Sequence, residues 1–276
     1  RQLDTSIRRL GSGELKEPID VSGPSDLRYL GGRLEWLRTH LLELEVSKQQ
    51  FMHNVAREID LPLDSIREGA ELLVIEVNEK PDSVRQDIAR LLCKNIDKLK
   101  TVSEELVRYS QINANPEMNR KKTVNMKVLL ESVIEDFQTR LQAKSISLKK
   151  LVRPVEIPGI QEQLRNIIEQ LMSNAVKYSP EGGEIRIMLR ESGMQMEMEI
   201  EDEGPGIDLE ERAHVFEPFF RGKTAQCNGR VEGPGLGLAI VKEYVANHQG
   251  KVNIIDSRQD QQGARIRVQI PLTSEA

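Results

Sequence analysis

The chain has 276 residues, 38% hydrophobic, 30% charged and only 4% aromatic, with a formal net charge of −5. That balance suits long solvated helices beside a packed core rather than a β-sandwich, and acids outnumbering Lys and Arg leave no electrostatic footprint for direct nucleic-acid binding. Cys93 and Cys227 stand without CxxC or Cys/His spacing, which argues against a thiolate metal centre and for reduced thiols in a cytosolic compartment.

No run of 18 or more apolar residues and no signal-peptide pattern occurs, so nothing in these residues is expected to span a bilayer. The chain opens inside an apparent helix, Arg1 to Leu10, without an initiator Met, as a piece of a larger protein would. Gly11-Ser12-Gly13 and the breaker-rich run from Glu17 to Pro24 then read as a linker between helices. Leu27, Leu30, Leu34, Leu37, Leu41 and Leu44 repeat at spacings of three and four, and Phe51 and Val55 continue the frame. Such a narrow stripe is the seam of a coiled coil, with an amphipathic helix packed on its own domain as the alternative.

Pro62 removes a backbone donor within this helical pattern. After a turn-like Asn78 to Pro81, Val84, Ile88, Leu91, Leu92, Ile96, Leu99, Val102 and Leu106 predict a second helix from about Asp82 to Ile112. Two antiparallel helices per chain, paired with a second chain, make a four-helix bundle. Asn113 to Pro116 reads as a linker. Beyond it, helices are predicted at Met126 to Leu141, Gln161 to Lys177 and Leu236 to Asn247. Strands are predicted at Glu184 to Arg190, Met194 to Glu201, Val252 to Asp256 and Ala264 to Ile270, with a turn at Ser192-Gly193. Mixed sheet and helices define an α/β sandwich.

Four motifs in this second half carry chemistry. Asn166, Gln170, Asn174 and Lys177 share one helix face, where an amide oxygen suits a hard cation and an ammonium suits a phosphate; Tyr178 follows directly. Asp202-Glu203-Gly204-Pro205-Gly206-Ile207 comes straight after a strand. Phe216-Glu217-Pro218-Phe219-Phe220-Arg221 precedes a polar segment, Gly222 to Glu232, whose composition suits a flap. Gly233-Pro234-Gly235-Leu236-Gly237-Leu238 opens a helix, where amides and the helix terminus face an anion together. Taken singly, each is a polar helix face, a turn or a loop.

In order and spacing, these four motifs resemble the ATP-binding boxes shared by histidine kinases, DNA gyrase, a heat-shock chaperone and MutL, over Gln161 to Leu272. The segment Phe51-Met52-His53-Asn54-Val55-Ala56-Arg57-Glu58-Ile59-Asp60-Leu61-Pro62-Leu63 resembles the phosphoacceptor segment of sensor histidine kinases. Its usual pattern is Phe, a spacer and Ser-His-Glu-Leu-Arg/Lys-Thr-Pro-Leu, so Arg57 stands where that family has its acceptor His. The helix, connector and helix before it resemble the later part of a HAMP relay module.

The resemblance implies three regions: a HAMP-like remnant and coiled coil over 1–46, a dimerisation and phosphoacceptor-type hairpin over 47–115, and an ATP-binding domain over 116–276. It implies ATP and Mg²⁺ as cofactors, a homodimer, a response-regulator receiver domain as partner, and membrane anchoring through segments outside this chain. It assigns Asp202 to the adenine amino group, Asn174 to Mg²⁺ with Gln170 replacing a usual Asn, and Lys177 to phosphate. Tyr178, Gly204, Gly206, Ile207, Phe216, Arg221, Gly233, Gly235, Leu236, Gly237 and Leu238 complete the nucleotide set.

A guanidinium stays protonated and has no lone pair to attack phosphorus, so Arg57 cannot accept phosphate as imidazole does. Glu58 keeps the adjacent acid and is expected in a solvated ion pair, while Leu61 replaces the residue that orients water for dephosphorylation, and Asp60 reverses a usual basic charge. His53, one turn earlier on the same face, is a substitute acceptor or an ordinary exposed His. His40, His214 and His248 are expected at the surface. A shape-signalling pseudokinase, and a related chaperone or repair ATPase, are the rival readings.

Overall fold

The structure is a computed structural model that describes residues 2–11, 13–21, 23–75, 82–111, 121–223, 233–257 and 263–273. The predicted turn at 78–81, the linker at 113–116, Cys227 and most of the 222–232 flap lie outside the described residues. The chain divides into two units, Arg1–Leu61 and Pro62–Ala276.

In the first unit, α1 (Gln2–Gly11) leads through a connector into α2 (Ser25–Ile75), the helix whose course continues past the unit boundary. The connector is clamped onto α2: Leu15 and Val21 are buried, the Arg38 guanidinium donates to the Leu15 carbonyl, and Glu35 accepts from the Ile19 amide at 2.7 Å. Glu35 also accepts from Arg38 Nε at 2.8 Å, and that bond foremost holds its carboxyl down at about 2. Within this unit Leu27, Leu30, Leu37 and Leu44 remain exposed, a seam still uncovered by a single chain.

The second unit begins with the last turns of α2, which include Pro62. They meet α3 (Asp82–Gln111) at Gly69, where an added Cβ would stand 2.9 Å from Leu92 Cδ2. The remainder is an α/β sandwich. A five-stranded mixed sheet runs β2-β4-β5-β7-β6, from β2 (Ser147–Val152), β4 (Glu184–Ser192), β5 (Gln195–Glu201), β6 (Lys251–Ile255) and β7 (Arg265–Pro271). Among the described residues only β2 and β4 pair in parallel. A separate antiparallel pair joins β1 (Lys122–Asn125) to β3 (Glu156–Gly159).

Alternation explains the two faces of the sheet. Ile187, Leu189, Met196, Met198, Ile200, Ile266, Val268 and Ile270 are buried on the side of α4 (Met126–Ala143), α5 (Gln161–Tyr178) and α6 (Gly237–Asn247), in registers such as Ile187 opposite Ile200 and Met198 opposite Val268. Glu197 and Glu199 point the other way, yet are also buried, because Arg190, Arg265 and Arg267 lie over them as ion pairs. Hence β5 is buried on both faces at the centre of the sheet.

Candidate functional site: a cleft between α3, α5 and the glycine loop

A cavity of about 280 Å³ opens in the second unit beside α5, with the Asp202 turn, the 220–222 segment, the 233–238 loop and α3 around it. On α5 the residues at 163–164, 167–168, 171–172 and 175–176 are buried in the core. The intervening face therefore presents Gln170, Ser173, Asn174, Lys177 and Tyr178 to the cavity, which is the 3.6-residue repeat acting on a helix packed on one side only.

The C-terminal end of this helix is held from outside. Lys144, following α4, donates from Nζ to the carbonyls of Val176, Lys177 and Ser179 at 2.8, 3.0 and 3.2 Å. A cation at a helix C-terminus satisfies orphan carbonyls and opposes the dipole, so the turn carrying Lys177 and Tyr178 is locked.

Asp202 is buried, and its Oδ1 accepts from the amides of Gly204 (2.8 Å) and Ala264 (3.3 Å). Burial pushes its carboxyl up to about 6, with the two amides pulling it back down. With Oδ1 held by backbone, Oδ2 is the oxygen left for a donor in the cavity. An aromatic amine fits that role, beside the apolar Ile207, Val215, Leu238 and Ile266 walls.

The third and fourth motifs interlock. The Phe219 amide donates to the Gly235 carbonyl at 3.0 Å, and Phe219 itself takes a left-handed backbone, φ 64. Gly235 has φ +76, and a Cβ there would stand 2.6 Å from the Phe220 carbonyl, so only glycine fits. Glu211 ties the start of the following segment, accepting from the Lys223 amide at 2.8 Å.

Of the sequence-predicted residues, the cavity gathers Gln170, Asn174, Lys177, Tyr178, Asp202, Gly206, Ile207, Arg221, Gly233, Gly235, Gly237 and Leu238. Phe216, Leu236 and Gly204 stand outside its lining; Leu236 is fully buried core, and Gly204 backs onto the Tyr178 carbonyl. Sequence reasoning missed Glu211 and Val215, and it missed Thr101 and Glu105, which come from α3. Those two bear no motif; their signal is only that they share a face with Arg108, at helical spacing.

For a divalent cation the cavity offers the amide oxygens of Asn174 and Gln170. The described residues hold no cluster of three His, Cys, Asp or Glu. Gln170 Oε1 packs against α6, 2.5 Å from where a Cβ on Gly237 would stand. That donor set fits Mg²⁺ bound chiefly by phosphate oxygens and water, not by a protein cage.

On α2 the picture is different. Arg57 and His53 are exposed, as is Leu61. Glu58 departs from expectation: it is buried, and its Oε2 has no hydrogen-bond partner among the described residues, so it is not a solvated ion-pair carboxylate. His248 also corrects the surface assignment. It is 3% exposed, with Nδ1 bonded to the Tyr244 carbonyl and Nε2 accepting from the Ile160 amide, and burial lowers its pKa; it pins α6 to the start of α5. His214 is exposed and paired with Glu217, and His40 is exposed and stacked on Trp36.

The fold and cleft define an ATPase-type nucleotide domain, and residues 159–274 match the family described as histidine kinase-, DNA gyrase B- and HSP90-like ATPase. Over 272 residues the chain is 30% identical to the sensor histidine kinase GlrK of Escherichia coli K12, covering 98% of this chain and 56% of GlrK. Residues 159–274 thus carry that family's ATPase domain, and along nearly its whole length the chain is similar to sensor histidine kinases. Among solved structures, histidine kinase ThkA in complex with response regulator protein TrrA aligns with a TM-score of 0.65 at 20% identity, over 86% of this chain and 65% of that one. ShkA in complex with AMPPNP aligns at 0.57 and 24%, over 83% and 46%. At such identities the likeness concerns fold. The chain spans about half the length of the curated relative it matches, and none of its described helices is long and apolar enough to cross a membrane.

Proposed function

We propose that this chain is the cytoplasmic portion of a membrane-anchored two-component sensor that binds ATP and Mg²⁺ and signals to a response-regulator receiver domain. The observation that carries the reading is the cleft itself, where a buried carboxylate with one oxygen to spare lies in the same cavity as Lys177 and the Gly233–Gly237 loop. Asp202 would hold the adenine amino group, Lys177 and the loop amides the phosphates, and Asn174 with Gln170 the metal ion. Bound Mg²⁺ would supply charge neutralisation at the phosphates; the protein's own part is to orient the chain of phosphates and exclude water. The likenesses to a kinase solved with AMPPNP and to one solved with a response regulator support the ligand and the partner.

The division of labour follows the three regions named above. Residues 1–46 relay a signal, 47–115 dimerise as a hairpin bundle, and 116–276 bind nucleotide. The exposed leucines of α2, with Leu91 and Ile96 of α3, supply the apolar surface that a second chain would cover.

A second reading concerns phosphotransfer. Arg57 at the acceptor position, and Leu61 where water would be oriented, favour a sensor that binds ATP and signals by conformation without phosphorylating itself. His53 remains the one imidazole within a turn of that position. Incubation with Mg²⁺ and γ-labelled ATP distinguishes the readings. The conformational reading expects no acid-labile label on the chain as it stands, and acid-labile label on Arg57→His shows a competent nucleotide domain. Label mapped to His53 would overturn that reading.

A further inference from the structure

We propose that Glu105 is a built-in competitor for the phosphate end of the cleft: a carboxylate carried by α3 that opposes a nucleotide's phosphates at Lys177 and thereby sets the pocket's affinity and its discrimination by phosphate number. The inference rests on the ATP reading above and adds to it a residue from outside the nucleotide domain.

The helix seats the residue. Thr101, Glu105 and Arg108 lie at i, i+4 and i+7, on one face of α3. Arg108 Nη1 donates to Asn166 Oδ1 of α5 at 3.1 Å, and Asn166 is itself fixed by its Nδ2 bond to the Glu162 carbonyl at 2.9 Å. Val102 beside them is 0% exposed. With this end of α3 docked, Thr101 and Glu105 become part of the wall of the same cavity that Lys177 and Asn174 line.

The carboxylate is poorly served there. Glu105 Oε2 is buried and has no hydrogen-bond partner among the described residues, a state that costs free energy unless something compensates. Burial raises its pKa to about 6, while Lys177 first and Arg108 second pull it down, and Lys177, the ammonium a phosphate needs, lines the same cavity. Among the described residues, no motif and no hydrogen-bonded contact accounts for an acid at this position. A ligand that brings negative charge to Lys177 meets an anion in the wall of the same cavity, and the penalty grows with the ligand's charge: greatest for ATP, smaller for ADP, absent for adenosine. Phosphate binding therefore works against the docked position of α3 at its Glu105 turn.

Calorimetric titration of the full chain and of Glu105→Gln with ATP, ADP and adenosine, with and without Mg²⁺, tests this. Removing the charge is expected to tighten ATP about 5- to 10-fold, the scale of one partly screened charge pair, to tighten ADP less, and to leave adenosine within about twofold. Glu105→Ala, which removes both charge and bulk, is expected to follow the same order. Equal changes for all three ligands would make Glu105 merely structural, and weaker binding of Mg²⁺-ATP alone would make it a metal ligand; either result overturns the proposal. If neither protein binds any of the three, the ATP reading itself fails and this inference with it, an outcome distinct from equal affinities in the two proteins.

Discussion

Asp202 shows how much of a binding site one carboxylate can define. Its Oδ1 is consumed by two backbone amides, which fixes the orientation of Oδ2, and burial keeps its pKa near 6. The raised value has a sign: the folded state holds the proton more tightly than the unfolded chain, so this carboxyl favours folding below about pH 4 and that contribution is lost as pH rises through about 6. Binding runs the other way. The charged form is the better acceptor for an amine, so adenosine affinity should fall as pH drops from 7.5 to 5, and Asp202→Asn should lack the fall while binding at least about 10-fold more weakly at pH 7.5. Adenosine, which carries no phosphate, isolates this effect from Glu105. Arg57 is the opposite kind of residue, legible from sequence alone because a guanidinium's chemistry does not depend on its surroundings. Glu58 beside it was not legible, since its burial is a property of packing and not of the motif.

At the scale of elements, the helices and four of the sheet strands follow from apolar periodicity, and α3, α4 and α5 end within two residues of where that periodicity stops. The strands that escape are short or atypical. β1 and β3 have four residues each, β3 contains Pro158, and β2 is an edge strand carrying Lys149 and Lys150, which suppress any alternation. The same limit applies to the site. The glycine loop and the Asp202 turn are local motifs and were visible, whereas Lys144, which holds the end of α5 from another helix, is a long-range contact with no sequence signature. Lys144→Met should cost about 1–2 kcal/mol of stability through the freed carbonyls, lowering the melting temperature, and should also weaken ATP binding more than adenosine binding because Lys177 sits on the loosened turn. In the first unit, the Glu35 clasp should open in acid. Its carboxyl is held at about 2 mainly by Arg38, so its contribution is present above the ordinary carboxylate range and is lost as pH falls toward 2, read as faster exchange of the Ile19 amide.

For the molecule as a whole, the exposed leucine seam of α2 predicts self-association. Leu37 and Leu44 are 40% and 54% exposed in the single chain, a cost that a second copy would relieve. Sedimentation of the chain should show a dimer, and Leu37→Glu with Leu44→Glu should shift it toward monomer without abolishing nucleotide binding, since neither residue belongs to the cleft. The central claim is that the cleft around Asp202 takes ATP, and calorimetry with Mg²⁺-ATP against the intact chain and Asp202→Ala addresses it directly. A saturable heat corresponding to one site per chain, lost in Asp202→Ala, is the predicted result; no heat from the intact chain, or the same affinity in both proteins, would contradict it.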